Sequence, residues 1–189
     1  MAKSGQVIYN KVSTDKIVFT QTRAETQGQL LQFENYHQPN GVGPAPHRHP
    51  LQEETFTVHK GTLSITIEGN THILTAGQQI VVPPDSVHFW QNSGDTELYM
   101  TTEFRPALHF EEIIETIASL SQMGKMDERG NPNPMQMSAT LNAYYGEFFL
   151  DTMPLGVQKF LFGVLGRLLR WVGFKDYIAF DGLNEKFVP

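Results

Sequence analysis

The sequence contains no cysteine, which by counting alone excludes disulfide scaffolds, thiolate zinc sites and cysteine nucleophiles. Any bound metal must then be held by histidine and carboxylate. Positive charge is also scarce: 14 Lys and Arg stand against 20 Asp and Glu, for a net charge of −6, and no basic run occurs. A nucleic-acid partner needs a local basic patch that releases counterions, so none is expected. Long apolar runs are missing as well. The most hydrophobic stretch, Leu155 to Phe174, is interrupted by Lys159, Arg167 and Arg170, so no segment is expected to span a bilayer. The amino end, MAKSGQVIYN, lacks the apolar segment of a secretory signal, and a reducing cytoplasm is the expected compartment. What is present is a chain of 189 residues, 40% of them hydrophobic, enough for one globular unit or a domain with an appendage.

Up to about Pro106 the pattern is that of short strands. Leu63, Ile65 and Ile67 alternate with Ser64, Thr66 and Glu68, the period of a half-buried strand. Gly69 and Asn70 supply a two-residue hairpin turn, Ile73 and Leu74 return, and Ala76 and Gly77 turn again. Ile80, Val81 and Val82 then run into Pro83 and Pro84, which suit a strand end. Asn92 to Asp95 turns before Leu98 to Phe104. Strands at this spacing indicate an antiparallel barrel or sandwich.

From Phe110 the period changes. Ile113, Ile114, Ile117 and Leu120 mark an amphipathic helix, and Gln122 to Asn133, with Gly124, Gly130 and Pro132, is a loop. A second helix is expected from about Pro134 to Leu150. A third follows Pro154, with Val157, Phe160, Leu161, Val164, Leu165, Leu168 and Leu169; its glycines and cations crowd into one arc, so it should be buried on most sides.

The stretch GVGPAPHRHPLQEETFTVHKG, residues 41 to 61, concentrates the chemistry. His47 and His49 are two apart, so in an extended segment both imidazoles leave the same face. Glu54 has the wrong parity for one straight strand, so Pro50 to Glu53 must bend to bring its carboxylate back. His88 lies in a second stretch, GQQIVVPPDSVHFWQN, residues 77 to 92. Three imidazoles and one carboxylate suit a divalent first-row metal, with a formal charge of about +1 on the loaded centre. Six-coordination would leave two positions open for water, dioxygen or a chelating substrate.

These two stretches resemble the paired motifs of the cupin superfamily, G(x)5HxH(x)3-4E(x)6G and G(x)5PxG(x)2H(x)3N. Gly41, His47, His49, Glu54 and Gly61 fill the first; Gly77, Pro83, His88 and Asn92 fill the second. Asp85 stands where the pattern has glycine, a turn position at which Asp tolerates the left-handed region. The resemblance covers roughly residues 25 to 105. It implies a mainly β fold, a double-stranded β-helix or jelly-roll barrel, assigned to residues 1–106; the C-terminal helical extension over 107–189 lies outside the pattern and is expected from its periodicity alone. It also implies that His47, His49, Glu54 and His88 are metal ligands. Glu53 is an alternative to Glu54 because the motif admits either spacing; the interval to Gly61 favours Glu54.

Phe56 and Val58 share the parity of Glu54, and Trp90 that of His88, so these three are expected to line the interior as a substrate wall or as plain core. Whether Tyr99, Thr101 and Glu103 face inward is open. His37, His59, His72 and His109 read as ordinary polar residues. The expected function is a metal-dependent enzyme acting on a small organic molecule, foremost a dioxygenase of an organic acid or aromatic compound. A metal-dependent isomerase or decarboxylase, or a non-catalytic sensing barrel, would use the same ligands. Fe(II), Mn(II), Ni(II), Co(II), Cu(II) and Zn(II) all accept this set. A small-molecule ligand and a homodimer are the expected partners. For the third helix, packing on the barrel or at a subunit contact is preferred to an interfacial membrane role, because its polar arc is narrow and half glycine.

Overall fold

A computed structural model describes residues 2–10, 15–39, 41, 43–127 and 132–180. The strands are β1 Val7–Tyr9, β2 Lys16–Gln21, β3 Leu31–His37, β4 His47–Arg48, β5 Glu53–Lys60, β6 Thr62–Ile67, β7 Asn70–Thr75, β8 Gln79–Val82, β9 His88–Asn92 and β10 Leu98–Arg105. The carboxy-terminal part holds helix α1 Phe110–Gln122, helix α2 Pro134–Ala143, a short strand β11 Phe149–Leu150, and helices α3 Leu155–Phe160 and α4 Gly166–Trp171 joined by a π-helical turn at Leu161–Leu165.

The strands form two facing antiparallel sheets, ordered β1-β2-β3-β10-β5-β8 and β11-β4-β9-β6-β7. This is the jelly roll that the motif resemblance implies, and it agrees with the antiparallel barrel or sandwich indicated by the strand spacing. Alternation decides which side chains enter it. In β10, Leu98, Met100, Thr102 and Phe104 are buried, while Tyr99, Thr101 and Glu103 are on the outer side. Tyr99 stacks on Tyr36 and donates to Glu34, and Glu103 accepts from Gln32 and Arg105, so neither outer residue reaches the interior. One apolar cluster, with Phe56, Val58, Leu63, Ile65, Trp90 and Met100, fills one end of the barrel. A second, around Phe19, Leu31, Phe33 and Phe104, fills the other and continues into Ala118 of α1.

Three expectations need correction. The hairpin between β6 and β7 turns on Glu68 and Gly69, both with positive φ, and Asn70 already pairs with Ile67. Two consecutive left-handed residues match the twist of paired strands. The second helix ends at Ala143, not Leu150. Gly146 takes a φ of 92°, a conformation no helix continues through, and the chain then extends so that Phe149 and Leu150 pair with Arg48 and His47. The tail thus adds a strand to the barrel beside the segment that carries His47. The third helical run is not buried on most sides: Val157, Phe160, Val164, Leu168 and Trp171 are all exposed. Gly166 packs so closely on α2 that a Cβ would clash with the Ser138 carbonyl, which turns Gly166 inward with Phe162 and Leu169 and leaves the Val157–Trp171 stripe out. Of the loop Gln122 to Asn133, residues 128–131, including Gly130, lie outside the described residues.

Candidate metal centre

His47 sits on β4 and His88 opens β9, and the two are direct cross-strand partners. A turn at Pro50 and Leu51 follows His49 and returns the chain into β5, which supplies Glu54. The bend required by the parity argument is therefore present, and Asp85 anchors it, its N–H donating to the His49 carbonyl at 2.9 Å. Asp85 has a φ of 63°, the left-handed conformation that its place in the motif requires. Gly61, closing the first motif, has a φ of 83°, and a Cβ there would meet the Glu97 carbonyl at 2.7 Å.

One ligand-capable atom from each of His47, His49, Glu54 and His88 lies within 4.8 Å of every other, and all four residues are buried. Glu53 does not join the group. The Nδ1 of His47 lies 2.9 Å from the Ala45 carbonyl, and that of His88 lies 3.0 Å from the Ser86 carbonyl. Each carbonyl can accept only from a protonated Nδ1, which turns Nε2 toward the cluster. Backbone acceptors of this kind orient imidazoles for metal ligation.

Burial pushes the His47 imidazole down to about 3, with the positive charge at His88 adding to the shift. His49 is lowered well below its ordinary value by burial first and by His47 and His88 second. The Glu147 backbone carbonyl opposes that shift without making a hydrogen bond of good geometry to the ring. Burial raises Glu54, partly offset by its bond to His88. For His88, burial lowers the imidazole, but the hydrogen bond and charge of Glu54 outweigh it and the net direction is upward. Glu54 Oε2 and His88 Nε2, 2.8 Å apart, therefore hold one proton between them. His49 Nε2 lies 3.7 Å from the same carboxylate oxygen and has no hydrogen-bond partner. Neither ring nitrogen of this neutral imidazole has a hydrogen-bond partner, and a buried polar atom left unpaired is costly. A divalent cation would satisfy it, so the donor set and its geometry fit a metal.

Phe56 and Val58 are fully buried, and Trp90 nearly so, in the apolar end of the barrel, with Phe56 and Trp90 ring centroids 6.1 Å apart. The rings that touch the imidazoles are others. Phe104 and Phe110 set their edges against His49 at 5.1 and 4.8 Å, and Phe148 stacks on His47 at 5.1 Å and contacts His49 at 5.5 Å. Phe104 follows from strand parity. Phe110 and Phe148 belong to the tail, and the sequence signal that could have found Phe148 was the helix-breaking Gly146 two residues before it. Its backbone is held by Glu147, whose carboxylate accepts from the His109 N–H at 2.9 Å and lies 2.7 Å from His109 Nδ1. His109 thus ties the tail to the start of α1. His37 is also buried, edge-on to Trp90 at 4.5 Å and 2.7 Å from Asp15.

Residues 36–102 match the cupin domain family. Over 74 residues the chain is 36% identical to oxalate oxidase 1 of Hordeum vulgare, covering 35% of this chain and 36% of that protein. Over 60 residues it is 37% identical to polyketide synthase CurC of Streptomyces cyaneus, covering 32% and 39%. The chain therefore spans little more than a third of the length of these curated relatives. Among solved structures, a predicted oxalate decarboxylase of Thermotoga maritima aligns at 15% identity with a TM-score of 0.48, over 56% of this chain and 98% of that one.

Proposed function

Because residues 36–102 are a cupin domain, we propose that this chain is a metal-dependent oxidoreductase that takes a small organic acid or aromatic compound at the His47, His49, Glu54 and His88 centre. The observation that carries the reading is the unpartnered Nε2 of His49 beside two imidazoles whose Nδ1 positions face backbone carbonyls. A bound divalent metal would supply Lewis acidity, redox capacity and open coordination positions. The residues of the chain do the rest. His47, His49 and His88 offer neutral nitrogens, and Glu54 offers the single negative charge, so the loaded centre keeps a formal charge of about +1 and favours an anionic oxygen ligand.

Phe104, Phe110 and Phe148 exclude water around the imidazoles, and the half-buried Phe110 and Phe148 offer an apolar wall to a substrate. Phe56, Val58 and Trp90 belong to the apolar cluster with Leu63, Ile65 and Met100 and serve as core beside the centre. The name of the barley relative, an oxidase of a small dicarboxylic acid, supports an acid substrate. Oxygen uptake by protein loaded with Fe(II) or Mn(II) and offered a panel of small carboxylic and phenolic acids is the test. The reading predicts uptake that His49→Gln abolishes; product formation without uptake would replace it with decarboxylation or isomerisation.

A second reading is a non-catalytic ligand-binding barrel. It is favoured by the enclosure of the four ligands and by the outward placement of Tyr99 and Glu103, which leaves Glu54 and His88 as the only proton-holding pair among the described residues at the centre. Retention of an acid by metal-loaded protein, with no product, would favour it.

A further inference from the structure

The helical run from Leu155 to Trp171 has two unlike sides. Gln158, Phe162, Gly166 and Leu169 are buried. Gln158 fastens the run to the barrel, its side chain accepting from the Leu150 N–H at 2.8 Å and donating to the Met153 carbonyl at 2.7 Å. Asn142 of α2 donates to the Phe162 and Gly163 carbonyls in the π-helical turn. The run is therefore a fixed part of the fold. Its outer side carries Val157, Phe160, Val164, Leu168 and Trp171, three or four residues apart, with Phe160 62% and Trp171 85% exposed.

Charge identifies what would cover this stripe. From Thr152 to Lys175 there is no Asp or Glu, while Lys159, Arg167, Arg170 and Lys175 are all present in a chain whose net charge is −6. All four are exposed. Arg170 pairs with Asp176 at 2.8 Å; Lys159 and Arg167 flank the apolar stripe itself. A second copy docked through a two-fold would set the same patch against itself and oppose cation to cation. An anionic lipid surface complements both features, apolar side chains entering the acyl boundary and cations meeting headgroups. No helix among the described residues is long and apolar enough to cross a membrane, so the run would lie in the interface plane.

We propose that the Val157–Phe160–Val164–Leu168–Trp171 face is an interfacial docking element for anionic bilayers. The proposal is independent of the metal chemistry. It is tested by flotation of the full chain with vesicles of phosphatidylcholine alone, and with about 30% phosphatidylserine, at about 0.1 M salt. Binding to the anionic vesicles only is expected, with a blue shift of tryptophan emission that Trp171→Phe removes, because Trp90 is already buried. Lys159→Gln with Arg167→Gln should weaken binding about thirtyfold, at about fivefold per cation. Leu168→Gln with Trp171→Gln should abolish it while the circular dichroism spectrum is unchanged.

Three results would overturn the proposal. The folded chain could remain unbound with anionic vesicles, or it could bind neutral and anionic vesicles equally. In the third, it stays off vesicles and forms a dimer that the Leu168→Gln, Trp171→Gln variant converts to monomer, which would assign the stripe to a second copy.

Discussion

At the scale of single residues, the centre is two imidazoles, His47 and His49, kept neutral by burial beside a Glu54–His88 pair that shares one proton. Glu54 and His88 hold a proton between Oε2 and Nε2, whereas burial keeps the His47 and His49 rings neutral. A metal competes with that shared proton. Titration of a divalent cation at pH 7, in buffers of different ionisation enthalpy, should release about one proton per site; release of none would contradict the assignment of the pair. A second prediction concerns stability without metal. Burial holds His47 down at about 3 in the fold, against about 6.5 in an unfolded chain. Between those values the unfolded chain carries a proton that the fold rejects. The stability owed to the neutral ring is thus complete above about pH 6.5 and is lost as pH falls toward about 3, by up to ~1.4 kcal/mol per unit. Urea midpoints of chelator-treated protein should fall from pH 7 to pH 5 more steeply than those of His47→Gln; equal slopes would count against it. These four residues were legible in the sequence: parity puts His47 and His49 on one face and demands the bend before Glu54, and the resemblance to the second motif adds His88. His109 and His37 were not legible, because their partners, Glu147 and Asp15, are brought to them only by the folded chain.

At the scale of elements, β11 matters most for the centre. Its pairing with β4, together with the His109–Glu147 contacts, seats Phe148 on the imidazoles. Phe148→Ala should leave the fold intact and let a chelator strip bound metal faster, by about tenfold if the ring is a main barrier to water; an unchanged stripping rate would show that access runs elsewhere. The sequence suggested helix from Pro134 to Leu150, and a short apolar run such as Phe148 to Leu150 does not distinguish helix from buried strand. Gly146 decided the matter. Gly166 is the corresponding decision for the last helical run. Its missing side chain lets α2 and α4 meet, and Gly166→Ala should cost about 1–3 kcal/mol by overpacking, read as a lower urea midpoint. Periodicity announced an apolar arc there and could not say which arc would face α2. A helix wheel contains no information about which neighbour exists.

At the scale of the whole molecule, two sheets bring together residues from 47 to 88 in the sequence, and the helical tail returns across them so that the centre is walled by both parts of the chain. The barrel was readable from strands of regular spacing and from turn residues, with errors of one residue at the β6–β7 hairpin. The tail's course was not, since it depends on contacts between segments about a hundred residues apart, such as Leu150 with His47. The account rests on one claim: that His47, His49, Glu54 and His88 grip a single cation. Anomalous X-ray scattering from crystals of protein purified without added metal, or soaked with Fe(II) or Mn(II), tests it most directly. The account predicts one peak at about 2.0–2.3 Å from the three Nε2 atoms and the Glu54 carboxylate; no peak after soaking, with the four side chains turned apart, would contradict it.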